Sequence, residues 1–545
     1  MKLALFITVI LVSSVFTQTF VVAEESEYHD IIVIGAGMAG LAAASELDGD
    51  YDVIILEARD RVGGRMLTDK SHEEYYLDLG ASWIHGVEKN PITALAEKYG
   101  VETKQFDNFV SINLYDSAGN LIHSYKEKNY YYDEEDEEMK PICDAGIADN
   151  EKYCEIFERF ERFQEFYANE SENILANDGD DVSLQIAIDK FVEDENMTED
   201  EMKKFNFALV WWLEGEYGGD ASQISMLSFE DMGYEMEGDE VIFPKGYGQI
   251  IDGLSDGLDI RLEHVVTEID YNDNIIHIKT TKGDFDAKYV ISTLPLGVLK
   301  NNSVDFSPDL PQEKINAINN LEMGLLNKVY FVFPEVFWDE KHDWIVRIPE
   351  QKGQWVYFAN LYGALEEPVL LAFNAANYGH EIETKSNDEI VAEGLDVLKT
   401  IYGGDIPEPV FTSVTKWGLD EFSFGSYSYT GVGSSNNDFY ELSKPLDNKV
   451  LFAGEATEVN YPATVHGAYL SGVREANRIQ WLEGNVLSPK AQLDNWVFPT
   501  YVICKDGLEL LITHGGESAA CVTKETKMVL IERGWGYDIP YAQYD

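Results

Sequence analysis

The stretch from Ile31 to Gly40, IIVIGAGMAG, decides the fold of this chain. An apolar strand runs directly into the turn Gly35-x-Gly37-x-x-Gly40, and the turn opens into the helical pattern LAAASEL. Such a turn brings a helix N-terminus against a pyrophosphate. Glu57 ends the next apolar strand, where it can accept hydrogen bonds from a ribose hydroxyl. This context predicts a Rossmann-like dinucleotide site rather than a glycine-rich turn in an ordinary α/β unit.

A second loop follows the acidic residue and reads ARDRVGGR over residues 58–65. Gly63 and Gly64 permit the backbone to approach a cofactor closely. Arg59 and Arg65 carry fixed positive charges that suit phosphates. A nicotinamide dehydrogenase would not need this loop. The run EARDRVGGR resembles the extended fingerprint of FAD-containing amine oxidases, which indicates that the dinucleotide is FAD.

Composition limits the class of protein and its partners. A chain of 545 residues is too long for one core and predicts two intimately joined domains plus appendages. A net charge of -59 repels nucleic acid and attracts cations, so a polycationic amine would be drawn to it. Acidity for solubility or for a salty habitat is the alternative explanation. Because the sequence contains no Cys-x-x-Cys or histidine cluster, we expect no metal site.

The N-terminus has the anatomy of a signal peptide. Lys2 precedes an apolar stretch from Leu3 to Phe16, and small residues end at Ala23 before an acidic run. We expect residues 1–23 to be removed and the mature chain to be secreted to the exterior or the cell surface. An uncleaved anchor is the alternative, and no other segment resembles a membrane span.

The four cysteines fit an oxidising compartment. Short loops favour the pairs Cys143 with Cys154 and Cys504 with Cys521. Four cysteines allow three connectivities, so these pairs are a preference only.

Six ordered motifs resemble the flavin-containing monoamine and polyamine oxidases, and the polyamine members in particular. They are IGAGMAGL, LEARDRVGGR, LGASWIHG, LNKVYFVF, SFGSYSYTGVGSS and FAGEATEVNYPATVHGAYLSG, spread between Tyr28 and Leu482. The resemblance implies an α/β fold in which a Rossmann-like FAD-binding domain is assembled from discontinuous segments, with an inserted α+β substrate-binding domain. The predicted limits are 28–100, 231–300 and 411–485 for the FAD domain, 101–230 and 301–410 for the substrate domain, and 486–545 for an appended module.

The resemblance also implies which residues contact FAD. Besides the two glycine-rich loops, it points to the GASW motif, a valine beside the adenine, a tryptophan, and the strand and helix of the last motif. The predicted cofactor residues are Gly35, Gly37, Met38, Ala39, Gly40, Glu57, Ala58, Arg59, Gly63, Gly64, Arg65, Gly80, Ala81, Ser82, Trp83, Val266, Trp417, Gly454, Glu455, Thr464 and Val465.

The chemistry implied by the family is removal of a hydride equivalent from the carbon next to an amine onto flavin N5. Water then hydrolyses the imine to an aldehyde and an amine, and O2 becomes hydrogen peroxide. Lys328 lies in an apolar strand pattern and matches the lysine that holds a water near N5. Burial there would lower its pKa. A lysine on an edge strand, pointing to solvent, is the alternative.

Four further matches concern the substrate. Tyr461 and Tyr427 match the two walls of an aromatic cage that would guide the amine by cation-π attraction. His85 suits a hydrogen bond to a substrate nitrogen, and a structural histidine is the alternative. Glu214 and Glu216 align loosely with carboxylates for a distal ammonium, and a solvated loop is the alternative.

Departures from the family narrow the function. The segment GSYSYT has no cysteine at the covalent flavin position, so we expect noncovalent FAD. An amino-acid substrate needs a cation for its carboxylate, and the inner candidates reduce to Arg347 and Arg261. We therefore expect a polyamine oxidase acting on spermine, spermidine or their N-acetyl forms. The alternatives are an L-amino-acid or monoamine oxidase and, remotely, a non-catalytic amine-binding surface protein stabilised by flavin.

Overall fold

The protein is described by a computed structural model. It covers residues 26–537 except 73–74, 107–110, 126–129, 134–137, 142–150, 178, 229–235, 486, 495–498, 500–501, 506 and 514–517. The predicted signal peptide at 1–23 and Cys143 lie outside the described residues.

The strands, in chain order, are β1 (Glu27–Ile34), β2 (Val53–Leu56), β3 (Thr68–Asp69), β4 (Leu77–Asp78), β5 (Trp83–Ile84), β6 (Lys104–Gln105), β7 (Ile112–Tyr115), β8 (Leu121–Tyr125), β9 (Tyr130–Asp133), β10 (Glu138–Pro141), β11 (Val241–Ile242), β12 (Ile260–Arg261), β13 (Val266–Asp270), β14 (Ile276–Thr280), β15 (Gly283–Ser292), β16 (Asp305–Ser307), β17 (Leu321–Gly324), β18 (Leu326–Val332), β19 (Trp344–Arg347), β20 (Tyr357–Asn360), β21 (Val369–Ala375), β22 (Phe411–Val414), β23 (Tyr427–Thr430), β24 (Val450–Phe452), β25 (Glu509–Thr513), β26 (Ala519–Val522) and β27 (Gly536–Tyr537).

The α-helices, in chain order, are α1 (Met38–Leu47), α2 (Pro91–Tyr99), α3 (Glu151–Ala176), α4 (Leu184–Glu195), α5 (Glu199–Leu209), α6 (Gly215–Tyr217), α7 (Gly248–Ser255), α8 (Leu296–Lys300), α9 (Gln312–Asn320), α10 (Tyr362–Leu365), α11 (Ala376–Glu383), α12 (Asn387–Tyr402), α13 (Asn436–Ser443), α14 (Val465–Leu482), α15 (Pro489–Asp494) and α16 (Lys524–Glu532).

The first sheet is built from distant parts of the chain, in the order β12-β2-β1-β15-β14-β13-β16, with β24 paired to β15. Strand β1 runs parallel to β2 and β15, and β24 runs parallel to β15. Their side chains are apolar and buried because helices cover this parallel part. The predicted α/β fold, with a Rossmann-like unit assembled from discontinuous segments, is therefore confirmed.

The second sheet has the order β22-β18-β21-β20-β19-β7-β8 and is mostly antiparallel. Helices α3 to α5 pack beside it through a shared hydrophobic cluster rich in aromatic residues. The domain limits taken from the sequence stay predictions. Strand β16 lies within the predicted limits of the substrate domain but pairs in the first sheet. Strand β22 lies within the predicted limits of the FAD domain but pairs in the second sheet.

The C-terminal segment forms a small antiparallel sheet in the order β26-β25-β27. The predicted disulfide between Cys504 and Cys521 is confirmed. Cys154 is disulfide-bonded as well, and the partner suggested by the sequence is the Cys143 that lies outside the described part. Leu510 and Ile512 belong to the same hydrophobic cluster as the core of the first sheet, so this segment packs onto that domain. Within the described ranges, no helix is long and apolar enough to cross a membrane.

Candidate active site

A cavity of about 1190 Å³ lies where the two sheets meet. Its walls include residues from β1 and α1 on one side and from β18, β20 and β21 on the other. Ordinary small-molecule pockets have volumes of about 300–1,000 Å³. The cavity can therefore hold a large ligand together with a second, smaller one.

The glycine turn before α1 has the geometry of a dinucleotide site. Gly35 has a φ of +101°, which an L side chain would adopt only with strain. A Cβ on Gly40 would lie 1.9 Å from the carbonyl oxygen of Gly35, so that glycine lets helix and turn pack closely. A Cβ on Gly37 would meet no atom within 4 Å. Because Gly37 lines the cavity, this space is open for a ligand to approach the backbone.

Glu57 lies at the end of β2 and is only 5% exposed. Its carboxylate accepts hydrogen bonds from the backbone N–H groups of Ala36 at 2.7 Å and Arg59 at 2.9 Å. An ionised carboxylate has about four acceptor positions, so about two remain for hydroxyl donors. Since Glu57 also lines the cavity, its placement fits the predicted ribose contact.

The two arginines predicted at the phosphates both line the cavity, and each is paired with a carboxylate. Arg59 makes a bidentate pair with Asp420, at 2.6 and 2.8 Å. Burial is the largest single influence and raises the pKa of Asp420, but the hydrogen bonds and the charge of Arg59, together with hydrogen bonds within the loop that follows Asp420, hold that pKa below its usual value. Arg65 donates to Glu455 at 2.8 Å. The carboxylates orient both guanidinium groups and reduce their net charge.

Glu455 links the last motif to the rest of the site. Besides Arg65, its carboxylate accepts hydrogen bonds from Ser428 Oγ at 2.6 Å and from the backbone N–H of Ala463 at 3.1 Å. Thr464 then caps α14 by accepting from the N–H of Gly467 at 2.9 Å. The positive end of this helix dipole therefore faces the cavity, where it favours a negatively charged group.

The cavity brings together almost all of the predicted cofactor residues. Only Gly40, which packs inside the turn, does not line it. The open backbone at Gly37, the carboxylate of Glu57 and the start of α14 on the cavity wall match the shape and chemistry of a dinucleotide. These residues therefore fit FAD, and their individual contacts with it stay predictions.

Lys328 lies on β18, which pairs with β21 on one side and β22 on the other. Its side chain is buried, so the alternative of an edge-strand lysine pointing to solvent is wrong. Nζ donates to the backbone oxygens of Asp78 at 3.0 Å and Gly80 at 2.5 Å, and to Ser82 Oγ. Burial lowers the pKa of Lys328, and the nearby carboxylate of Asp78 opposes this shift. Burial likewise raises the pKa of Asp78.

The two predicted cage tyrosines lie in different environments. Tyr427 lines the cavity, and its hydroxyl donates to the backbone oxygen of Gly215 at 3.3 Å. Tyr461 is 7% exposed and belongs to the hydrophobic cluster that forms the core of the first sheet. It is not among the residues that line the cavity. Its ring packs edge-on against His466, with centroids 4.9 Å apart. The cage role of both tyrosines stays a prediction.

The two residues of the predicted acidic pair lie in different elements, because Glu214 ends the short π-helical turn Val210–Glu214 and Glu216 lies in α6. Glu216 lines the cavity and is exposed. Glu214 points into the protein, where its carboxylate accepts from Lys352 Nζ at 2.7 Å and the N–H of Ala221 at 3.0 Å. Burial raises the pKa of Glu214, and Lys352 opposes this shift. Of these two carboxylates, that of Glu216 is therefore the one placed to meet a ligand in the cavity.

His85 also lines the cavity, with its side chain 57% exposed. Its Nδ1 lies 2.9 Å from a carboxylate oxygen of Glu240, another lining residue. The structure therefore places His85, Glu240 and Glu216 on the cavity wall. Glu240 has no periodicity or motif in the sequence that would have identified it.

Sequence reasoning missed most of the aromatic wall and one histidine. Trp211, Trp212, Trp344, Tyr357 and Phe373 line the cavity, although each reads in the sequence as a core residue. His466 also lines it, and burial lowers its pKa to about 3, which keeps the imidazole neutral. The sequence feature that could have identified this histidine is its position two residues after the cap of α14. In the described part of the chain, no group of three or more His, Cys, Asp or Glu side chains is placed to hold a metal ion.

Comparison with known proteins gives one family for most of the chain. Residues 38–480 match the model of the flavin containing amine oxidoreductases. A rice protein (Oryza sativa subsp. japonica) named lysine-specific histone demethylase 1 homolog 3 is 32% identical over 489 residues, covering 86% of this chain and 56% of its own length. The Arabidopsis thaliana protein FLOWERING LOCUS D is 32% identical over 466 residues, covering 83% of this chain and 55% of its own. The chain therefore spans about half the length of the curated relatives it matches.

Solved structures show the same fold. Wild-type putrescine oxidase bound to putrescine superposes with a TM-score of 0.65 at 21% identity, covering 84% of this chain and 99% of the other. A double mutant of that oxidase also gives a TM-score of 0.65, at 20% identity, covering 83% of this chain and 99% of the other. The identity is low, so this likeness concerns the fold alone.

Proposed function

The chain belongs to the flavin-containing amine oxidoreductase family, and on this premise we propose that it is an exported, FAD-dependent polyamine oxidase. The family implies FAD. When bound, FAD would supply the acceptor for a hydride equivalent from the carbon next to the substrate nitrogen, with O2 as the final oxidant. The polyamine substrate, noncovalent attachment and export belong to the proposal.

The observation that carries the proposal is the chemistry of the cavity wall away from the glycine turn. Glu216 and Glu240 supply negative charge there, and Tyr427 and several tryptophans supply aromatic faces. Carboxylates and aromatic faces both attract ammonium groups. The net charge of -59 adds a long-range attraction for polycations.

A substrate carboxylate would find little in this cavity to bind it. Arg347 is buried outside the lining, and Arg261 pairs with Asp259 on the surface. Among the described residues that line the cavity, the arginines are Arg59 and Arg65, and both are already paired with carboxylates. This arrangement argues against the L-amino-acid oxidase alternative.

The lowered pKa of Lys328 supports a role for this side chain in proton transfer. Its lowered pKa makes a neutral amine accessible nearer to neutral pH than in a free lysine. A neutral amine can accept a proton, and a general acid or base contributes about 10²–10⁴-fold to a rate when its pKa lies near the working pH. Noncovalent flavin is supported because the described residues that line the cavity include no cysteine.

A second candidate substrate is a methylated lysine side chain in a basic protein. Its support is the 32% identity to a protein named lysine-specific histone demethylase 1 homolog 3 and the 33% identity to one named homolog 1. An acidic surface would attract a basic peptide as well as a polyamine, so charge does not separate the two. Because the chain spans only about half of those relatives, the polyamine remains the first proposal.

The test is anaerobic mixing of the FAD-loaded protein with spermine, spermidine, their N-acetyl forms, a monoamine, an L-amino acid and a methylated histone peptide. We expect a polyamine to bleach the visible flavin band fastest. Glu216→Gln should raise the half-saturating polyamine concentration by up to about fivefold, as for loss of an exposed ion pair. The matched control Glu408→Gln removes one exposed carboxylate that is not part of the cavity wall and should leave that concentration unchanged. Fastest bleaching by the peptide would move the assignment to the second candidate.

A further inference from the structure

Residues 417–425 form a closed loop in the wall of the cavity. The N–H of Gly425 donates to the backbone oxygen of Trp417 at 2.9 Å, which joins the two ends of the loop. Compact surface loops of about 6–16 residues whose ends lie close together are called Ω-loops, and they are frequently functional. The residues of this loop that line the cavity are Trp417, Glu421, Phe422 and Phe424. The loop is therefore part of the surface that a bound ligand meets.

The tip of the loop, residues 419–422, separates the cavity from solvent. Leu419 is 65% exposed and is not among the residues that line the cavity, so it faces the outside. Phe422 lines the cavity. Ser423 is fully buried, and a Cβ on Gly297 of α8 would lie 2.2 Å from its backbone oxygen. The loop is therefore packed from Ser423 onwards, whereas the tip has the cavity on one side and solvent on the other.

The base of the loop is fixed by contacts that do not involve its tip. The N–H of Trp417 donates to the side-chain oxygen of Asn327 at 2.9 Å. The N–H of Gly418 donates to a carboxylate oxygen of Glu383 at 2.8 Å. The indole of Trp417 donates to the backbone oxygen of Leu79 at 3.1 Å. A movement of the tip alone would leave these contacts in place.

Arg59 holds the tip through Asp420. Its guanidinium donates to the two carboxylate oxygens of Asp420 at 2.6 and 2.8 Å. Its Cζ lies 5.3 Å from the centre of the Phe422 ring, within range of a cation–π contact. The side chains of Arg59 and Asp420 are 12% and 25% exposed, so water and salt screen this pair less than a pair on the open surface. The pair therefore ties the tip to the second glycine-rich loop.

Asp420 also sets the shape of the loop. Its Oδ1 accepts hydrogen bonds from the N–H of Phe422 at 3.0 Å and from the hydroxyl of Ser423 at 3.1 Å. Its backbone oxygen accepts from the N–H of Phe424 at 2.8 Å. Phe424 has a φ of +51°, which is strained for a bulky residue. The residue that orients Arg59 thus also maintains this strained turn.

We propose that Asp420 is a positioning residue of the FAD site, and that its pair with Arg59 is a latch that keeps the tip of the loop closed against the cavity. FAD passes the tip when it enters or leaves, so the latch opens and closes in each exchange. Opening breaks the two hydrogen bonds between Arg59 and Asp420 and leaves the base of the loop in place. The proposal rests on the FAD of the function proposed above and is independent of which amine is oxidised.

A different role for Asp420 would change the rates of FAD exchange in another way. If its carboxylate only reduced the charge of Arg59, its removal would leave a full positive charge for the pyrophosphate and would slow the release of FAD. Loss of a direct contact with FAD would speed release and leave association unchanged. Loss of a latch speeds both association and release, because both pass through the open loop.

The first experiment measures hydrogen exchange of the backbone amides of residues 417–425 in flavin-free protein by mass spectrometry. Arg59→Lys removes the bidentate pair and leaves the hydrogen bonds of Asp420 within the loop in place. We expect exchange in the tip to be about tenfold faster than in the wild type, as for loss of a hydrogen-bonded charge pair. The matched control Arg261→Lys breaks the bidentate pair with Asp259, which lies outside the cavity wall, and should leave this exchange unchanged. Equal exchange in Arg59→Lys and the wild type would overturn the latch.

The second experiment measures the association and release of FAD by stopped-flow flavin fluorescence. Asp420→Asn keeps the shape of the side chain but removes its charge and one acceptor oxygen. We expect both rates to rise by about tenfold and the dissociation constant to stay within about threefold of the wild type. In the Arg59→Lys background, where the latch is already broken, Asp420→Asn should add little to either rate. The control Asp259→Asn should leave both rates unchanged.

The outcomes separate the latch from the proposed function. FAD binding with unchanged rates in Asp420→Asn, or with slower release, would overturn the latch and leave the function standing. The expected rate changes in a protein whose flavin no amine reduces would support the latch and remove the proposed function. A wild-type protein that binds no FAD would overturn both.

Discussion

Alanine in place of Gly37 or Gly40 is expected to have opposite effects on folding and on FAD binding. The two glycines stand three positions apart in one turn. A Cβ at Gly40 would lie 1.9 Å from the backbone oxygen of Gly35, and real Cβ atoms essentially never approach closer than 3.0 Å. Helix α1 and the turn would have to separate by about 1.1 Å at this contact, the difference between 3.0 and 1.9 Å. At Gly37 the new methyl group would meet no atom within 4 Å, and the φ of -80° suits alanine.

The structural cost should therefore appear only in Gly40→Ala. Forcing extra volume into a packed contact costs about 1–3 kcal/mol. For a domain of roughly 150–250 residues, each kcal/mol lowers the melting temperature by about 2–4 °C. We expect the flavin-free Gly40→Ala protein to melt about 4–8 °C below the wild type, taking about 2 kcal/mol. Gly37→Ala should stay within about 0.5 kcal/mol of the wild type, as for a substitution without a clash.

The binding cost should be large in Gly37→Ala. Its methyl group would project into the cavity where the pyrophosphate must approach the start of α1. Loss of one hydrogen bond to a charged group costs about 1.5–3 kcal/mol, and about 1.4 kcal/mol corresponds to tenfold in affinity. The FAD dissociation constant should therefore rise by about tenfold or more.

Thermal unfolding of flavin-free protein and titration with FAD, followed by flavin fluorescence, measure the two effects separately. A Gly37→Ala protein that melts as early as Gly40→Ala would refute the inferred packing at Gly37. A Gly37→Ala protein that binds FAD as tightly as the wild type would refute the assignment of this space to the cofactor.

Three further outcomes are expected. Lys328→Met should slow flavin reduction or reoxidation by about 10²-fold in stopped-flow measurements, and rates equal to the wild type would remove its assigned role. Glu475→Gln removes a buried carboxylate held between two arginines, and should lower the free energy of unfolding by about 3–5 kcal/mol in urea titrations. The control Glu263→Gln removes an exposed carboxylate and should leave that free energy essentially unchanged. Replacing Cys504 and Cys521 by alanine should destabilise the C-terminal segment by about 3 kcal/mol, the value for a loop of that length, as measured by its rate of proteolysis.

Local features of the fold could be predicted because each depends on residues that are neighbours in the sequence. The run from Ile31 to Gly40 specifies a buried strand, a tight turn and a helix through apolar pattern and glycine alone, and the structure has these elements. Lys328 lies in a strand whose other residues are mostly apolar, so burial of its side chain followed from its neighbours. The pair Cys504 and Cys521 was predicted from a short loop and is present.

The site itself depends on residues far apart in the chain, and no local pattern encodes their contacts. Arg59 and Asp420 are 361 positions apart, and Lys328 and Ser82 are 246 positions apart. Glu214 and Glu216 look alike in the sequence, yet the carboxylate of Glu214 pairs with Lys352 inside the protein and Glu216 lies on the cavity wall.

The sequence by itself determined the dinucleotide turn, the buried lysine strand and the family, because short-range sterics and hydrophobic burial act on adjacent residues. Only the tertiary structure decided which carboxylates, aromatic rings and hydroxyls meet in the cavity. These side-chain contacts depend on the packing of two sheets that are assembled from distant segments. A shift of a few ångströms between the sheets would change which side chains are in contact without changing any local sequence pattern.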